Sequence, residues 1–225
     1  MGELVKFASN GGQTDGYLAI PEQGSGPGVV VIQEWWGLVD HIKDICDRFA
    51  AAGFVALAPD MYHGKVAKSP DEAGKMMMAL RIDEVEKDLR GTVQYLLNHD
   101  ATTRKQVGTV GFCMGGALSL YAASKNPGVG ACVVFYGIHP NVKPDLPNLQ
   151  GPVLGIFAER DRSVPPATVH ELERQLKTLG KTVEMHIYPG TDHAFFNDQR
   201  PEVYNSAAAN DAWRRTLEFF RQHLI

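Results

Sequence analysis

A chain of 225 residues with 44% hydrophobic and 21% charged side chains has the composition of an ordinary globular protein, which excludes disorder, collagen and coiled coil. Its 22 Lys and Arg face 26 Asp and Glu, a net charge of -4, so no basic field exists to hold nucleic acid or an anionic membrane. Small-molecule chemistry becomes the expectation, with a monomer or a small homo-oligomer as its carrier. No Pro/Gly/Ser linker divides the chain, and residues 1–225 are expected to form one domain.

Residues 1–12 lack the apolar core of a signal peptide, no apolar run approaches the roughly 18 residues of a membrane helix, and Lys6 stands where a myristoylation motif wants Ser or Thr. A cytoplasmic location is expected. Cys46, Cys113 and Cys132 are widely spaced and form no Cys-x-x-Cys pair, which argues against a disulfide framework and a zinc site. Neither a metal nor a cofactor is expected.

In chain order, residues 3–7 and 17–20 flank the turn-forming Ser9-Asn-Gly-Gly12 and predict a hairpin. The apolar run 29–33 predicts a strand. Asp40 then caps a helix with Ile42, Ile45, Cys46 and Phe49 at helical spacing, stopped by Gly53. A strand at 54–58 follows, then Ser69-Pro-Asp-Glu72, a capping-box pattern with Pro at the first helical position. Ile82, Val85, Leu89, Val93 and Leu96 predict another helix, and 107–111 and 131–135 two more strands with an Ala- and Leu-rich helix between them. The strand 153–157, a helix with Val169, Leu172, Leu176 and Leu179, the strand 183–188 and a helix with Trp213, Leu217 and Phe220 complete the pattern. Strands apolar throughout are strands buried on both faces, and the β-α-β-α order implies a mostly parallel sheet with helices on both sides and an antiparallel hairpin at one edge.

The sharpest motif is Gly111-Phe-Cys-Met-Gly115, followed by Gly116, where a strand gives way to a helix. It matches the Gly-x-nucleophile-x-Gly elbow, with Cys113 as nucleophile and the helix start favouring a thiolate and an oxyanion. The competing reading makes Cys113 a small buried hydrophobe in a tight turn. No Gly-Lys-Ser/Thr closes the segment, so a P-loop is the poorer fit. A triad on this plan runs nucleophile, acid, base. Asp161 follows the strand 153–157, and His193 follows the strand 183–188, both at the edge where open α/β sheets bind ligands. Asp161 is preferred as the orienting acid over its rival Glu159, and over Asp192, which adjoins His193 and therefore points elsewhere. The other histidines are assigned to surface or structure, and Met76, Met77 and Met78 to lid or core packing. After the first long strand, Gln33-Glu-Trp-Trp-Gly37 supplies the second oxyanion donor, so the Trp35 and Met114 N–H groups are expected to form the hole. Glu34 would lie near the nucleophile.

With Gln33-Glu-Trp-Trp-Gly37, Ala58-Pro-Asp-Met-Tyr62, Gly111-Phe-Cys-Met-Gly-Gly116, Phe135-Tyr-Gly137, Asp161 and His193 in this order, the chain resembles the dienelactone hydrolase family, α/β hydrolases that open enol-lactone rings with a Cys-His-Asp triad. The resemblance implies Cys113 as nucleophile, His193 as base, Asp161 as its orienting acid and Glu34 as the carboxylate partnering the resting thiol. That family typically places a Ser directly after the catalytic His, an Arg shortly beyond it that grips a substrate carboxylate, and a second Arg before the elbow. Here Ala194 and Asn197 stand at the first two places, and Arg81 lies in the region of the third. Trp35, Trp36 and Tyr136 are expected as an aromatic wall, with only modest preference for acidic lactones unless Arg81, Lys65, Lys68, Arg160 or Arg162 compensates for the missing arginine. The alternatives on the same fold are a broad carboxylesterase or thioesterase, and a sensor that has kept the pocket without turnover.

Overall fold

The structure, a computed structural model, describes residues 2–9, 11–137 and 139–224. Eight strands form one mixed sheet in the order β1-β2-β4-β3-β5-β6-β7-β8. They are β1 Glu3–Ser9, β2 Gly12–Ala19, β3 Gly28–Ile32, β4 Val55–Pro59, β5 Val107–Phe112, β6 Val129–Phe135, β7 Val153–Ala158 and β8 Val183–Tyr188. From β4 to β8 every neighbouring pair is parallel, while β2 runs antiparallel to both β1 and β4, so the hairpin extends one edge as anticipated. Both hairpin strands are longer than the sequence pattern indicated, and Asn10 of the expected turn lies outside the described residues.

All residues of β3 to β7 are buried, as two-sided coverage requires. Helix α1 (Asp40–Ala51) and helix α6 (Ser206–Leu224) cover one face together, Phe49 packing on Trp213 and Phe220. On the other face lie α3 (Ile82–Asn98) and α4 (Met114–Lys125), while α5 (Pro166–Thr178) packs on β7 and β8. The apolar stripe of α3 is buried at Val85, Leu89, Val93 and Leu96, each side chain contributing about 1.5–3 kcal/mol. Helix α2 (Pro70–Met78) is different, since Ala73 is its single buried residue. The Ser69 hydroxyl accepts the Glu72 N–H at its start, as the capping pattern predicted.

One boundary departs from expectation. Asp40 does not cap α1: Val39 is the N-cap, and Asp40 lies in the first turn, pairing with Lys43 at 3.3 Å, where its charge complements the helix dipole. The stop at Gly53 is as anticipated, with φ of +94°.

His41, assigned from sequence to surface or structure, is 1% exposed; its Nδ1 lies 3.5 Å from Asp198 Oδ1 without hydrogen-bond geometry, and its Nε2 has no partner among the described residues. Its ring lies between Phe112 and Phe196. Burial, opposed by Asp198 and reinforced by Arg48, lowers its pKa to about 4. A histidine held neutral in the fold stabilises it fully above the ordinary value near 6.5. That contribution declines as pH falls, until the folded form also protonates near 4. Between pH 7 and pH 4.5 the protein is expected to lose of order 2 kcal/mol through His41 together with the Asp198 carboxylate beside it. Urea unfolding of His41→Leu should show that loss removed; an acid dependence identical to wild type would assign it to other groups.

Candidate active site

The site begins at the C-terminal end of β5. Phe112 ends the strand and Met114 opens α4, so Cys113 alone makes the turn, at φ 55° and ψ -120°. A non-glycine residue held there costs of order 1–3 kcal/mol, strain that the neighbouring glycines make bearable. A methyl group at Gly111 would strike the Gly115 carbonyl, and one at Gly115 would strike the carbonyls of Ile32 and Gln33. The chain can therefore pass this close to itself only with glycine at both places. The half-exposed Cys113 side chain stands at the N-terminus of α4, where unpaired N–H groups and the helix dipole favour negative charge. Burial pushes the Cys46 thiol well up and the Cys132 thiol up to about 11, and Cys113 is the one cysteine of the three that is not buried.

Asp161 and His193 reach the same place from the loops after β7 and β8. His193 Nδ1 lies 2.6 Å from Asp161 Oδ2, and Asp161 Oδ1 accepts the N–H groups of Ser163 at 2.8 Å and Val164 at 3.0 Å. Burial works against the Asp161 carboxylate, but these hydrogen bonds and the His193 charge outweigh it and hold its pKa below the usual value. For His193, burial opposes the imidazolium, while the Asp161 carboxylate bonded to it and the Cys113 sulfur beside it push the pKa up to about 10. The rivals are engaged elsewhere: Asp192 pairs with Arg160 at 2.7 Å, and Glu159 accepts the Gly190 N–H at 2.8 Å.

Beneath this trio the placement differs from the sequence expectation. Glu34 is 1% exposed; its Oε2 accepts from Asn197 Nδ2 at 2.8 Å, and its Oε1 has no hydrogen-bond partner, the Cys113 thiol included. Burial pushes its pKa up against the pull of Asn197, His193 and Arg200. Asn197, expected in a substrate contact, is buried and holds Glu34 instead. Tyr136, expected on the pocket wall, is fully buried behind His193, ring centroids 5.0 Å apart, with its hydroxyl unpaired. Positive φ at Cys113, Tyr136 and Ala194 puts three of the four such non-glycine residues among the described residues at this one place.

A cavity of about 160 Å³ opens over Cys113 and His193, lined also by Glu34, Trp35, Trp36, Met77, Ser163, Val164, Ala194 and Arg200. Trp35 and Trp36 meet edge to face at 5.4 Å. Met114 heads its helix and so has no acceptor within it, and among the described residues neither its N–H nor that of Trp35 donates to any group. Arg81 does not enter this cavity. It is exposed, pairs with Asp83 and Glu84, and borders a separate depression with Lys65. Lys68, Arg160 and Arg162 do not line the cavity either. The cation that does is Arg200, which sequence reasoning missed. Three successive turns, closed by Phe195 N–H to Asp192, Asn197 N–H to Ala194 and Arg200 N–H to Asn197, carry the chain from His193 to it. Among the described residues no helix is long and apolar enough to cross a membrane, and no cluster of His, Cys, Asp and Glu could hold a metal ion.

A mixed eight-stranded sheet with a sharp Gly-flanked turn after its central strand, and loops carrying Asp161 and His193 after later strands, defines an α/β hydrolase. The model of the dienelactone hydrolase family matches residues 14–224, and the chain belongs to that family, whose members are hydrolases of the ester- and lactone-cleaving type. It is 44% identical over 231 residues to "Protein usf" of Aquifex pyrophilus and 38% identical over the same length to a protein of Aquifex aeolicus assigned as a carboxymethylenebutenolidase, covering 100% of both chains in each case. Among solved structures, a protein of Klebsiella pneumoniae assigned as a dienelactone hydrolase superposes with a TM-score of 0.89 at 29% identity, over 99% of each chain.

Proposed function

We propose that the protein cleaves small enol-lactones or activated esters bearing a carboxylate, through a Cys113-His193-Asp161 triad and a thioester intermediate. One observation carries the reading: the 2.6 Å His193–Asp161 pair and the strained Cys113 turn face a single cavity, with two unpaired backbone N–H groups beside it. In this scheme Cys113 Sγ, as thiolate, attacks the carbonyl carbon, and the carbonyl electron pair moves to the oxygen, held by the Trp35 and Met114 N–H groups. Collapse breaks the bond to the leaving oxygen, which takes the proton of the His193 imidazolium. In a lactone that oxygen stays within the same molecule. Neutral His193 then removes a proton from water as it attacks the thioester, and the second collapse returns the thiolate and frees the acid. A thiolate is itself a good leaving group, so the first collapse favours substrates whose departing oxygen is an enolate or phenolate.

The carboxylate enters through Arg200, the cation of the cavity wall, which also bonds Glu202 at 2.9 Å. The sequence expectation of weak selection for acids rested on Asn197 occupying the clamp position, and Asn197 is not in the cavity. The test is a pre-steady-state burst from an activated aryl ester, with an acyl adduct located on Cys113 by mass spectrometry in His193→Ala, where water attack is slowed. Turnover with no burst and no adduct would remove the covalent scheme.

A further inference from the structure

The wall of the cavity that belongs to α2 is held in an unusual way. Met77 lines the cavity, yet α2 has Ala73 as its single buried residue, with Met78 49% exposed. Among the described residues, the one hydrogen bond tying α2 to a distant part of the chain joins the Met77 carbonyl to His139 Nε2, at 3.2 Å. His139 follows β6, is 3% exposed, and is itself firmly placed: its carbonyl accepts the Val142 N–H at 3.2 Å and its Nδ1 accepts the Asn141 N–H at 3.1 Å. A ring that accepts at Nδ1 carries its proton on Nε2, so His139 donates to Met77 as a neutral imidazole. On the other side, Gly74 of α2 backs onto Trp35, and upstream Ala67 N–H donates to the Trp36 carbonyl at 3.0 Å. The helix thus lies against Trp35, is packed on the core through Ala73, Met76 and Met77, and has one hydrogen bond to a distant part of the chain, at its C-terminal turn.

We propose that His139 is a positioning residue that latches α2 over the active-site cavity, so that Met77 closes it against long acyl groups. Without the latch the last turn of α2 keeps only the packing of Met76 and Met77 and its local Leu80 N–H bond, so it lifts more readily and the cavity extends past Met77. His139 touches no reacting atom; it sets acyl-chain selection through α2. The inference rests on the ester-hydrolase reading for its substrate series, and a labelling experiment frees it from that dependence.

His139→Ala, His139→Gln and Met77→Ala are compared with wild type in the full chain. Two ratios are read: kcat/KM for p-nitrophenyl octanoate over acetate, and the alkylation rate of Cys113 by N-(1-pyrenyl)maleimide over iodoacetamide. His139→Ala is expected to raise both by about fivefold, the factor corresponding to one hydrogen bond's net worth. His139→Gln, which keeps a donor near the Nε2 position, stays within about twofold of wild type. Met77→Ala raises both ratios with the latch intact, and adding His139→Ala to it gives little more. If His139→Ala does not fold, His139→Asn serves, because it retains an acceptor for Asn141 and gives up Met77. The proposal is overturned if His139→Ala lowers all esters by one common factor with both ratios unchanged, or if His139→Gln matches His139→Ala. Should no ester be hydrolysed while the alkylation ratio still rises, the latch stands and the hydrolase reading falls.

Discussion

Cys113→Ala is expected to lower kcat/KM for an activated aryl ester by roughly 10⁴-fold or more, leaving the residual rate that oxyanion donors and binding provide. The loss is chemical and not structural. Cys113 is half-exposed, alanine keeps its Cβ, and the turn at φ 55° is imposed by the close approach of Gly111 to Gly115 and of Gly115 to β3. Unfolding free energy should therefore change by about 1 kcal/mol or less, as for substitutions that open no cavity and bury no unpaired group. The measurement pairs steady-state kinetics with urea unfolding, and with iodoacetamide labelling of the native protein, which should fall to background because Cys46 and Cys132 are buried. Retained activity in Cys113→Ala would transfer the nucleophile to another group or to water directly activated by His193, and the thioester scheme would fail.

Arg200→Ala is expected to cost an acidic dienelactone roughly 10–100-fold in kcat/KM while altering its methyl ester by less than about threefold, the difference being one charge-assisted contact to a carboxylate. Arg200→Lys should recover part of the loss, since an ammonium supplies charge but no planar pair of donors. Arg81→Ala is the control and should leave both substrates unchanged, because Arg81 is exposed, paired with Asp83 and Glu84, and outside the cavity. Equal losses on acid and ester in Arg200→Ala would mean that the residue shapes the loop through Glu202 and does not grip a carboxylate. A selective loss in Arg81→Ala would place the clamp on the other side of α2.

Asn197→Arg, which counting four residues past His193 suggests as a gain of acid selectivity, is instead expected to be damaging. Asn197 is buried and donates to Glu34, so a guanidinium there would displace the one hydrogen bond that this buried carboxyl accepts.

What the sequence determined by itself is the part of the molecule governed by local rules. The largely apolar runs 29–33, 107–111 and 131–135 are expected to be buried on both faces, and with helical stripes between them a parallel sheet is nearly forced. The Gly111-Phe-Cys-Met-Gly115 spacing encodes a turn that only small residues permit, and Asp161 and His193 are legible because each lies within a few residues of a strand's end. What only the tertiary structure decided depends on contacts between segments far apart in the chain. The Glu34–Asn197 bond spans 163 positions, and no local pattern distinguishes a buried amide from one lining a cavity. Arg200 reaches the cavity through three consecutive turns, one of them centred on a positive-φ Ala194, so its distance from His193 in sequence does not indicate its direction. Tyr136 looked like a wall and is a buried support, because its positive φ turns the chain just past β6 and sets the ring behind the imidazole. His139, separated by 62 positions from Met77, acquires a role only when the sheet brings the end of β6 under α2. Periodicity reports which face of an element is buried; what that face meets is set by strand order and loop geometry, which are properties of the whole chain.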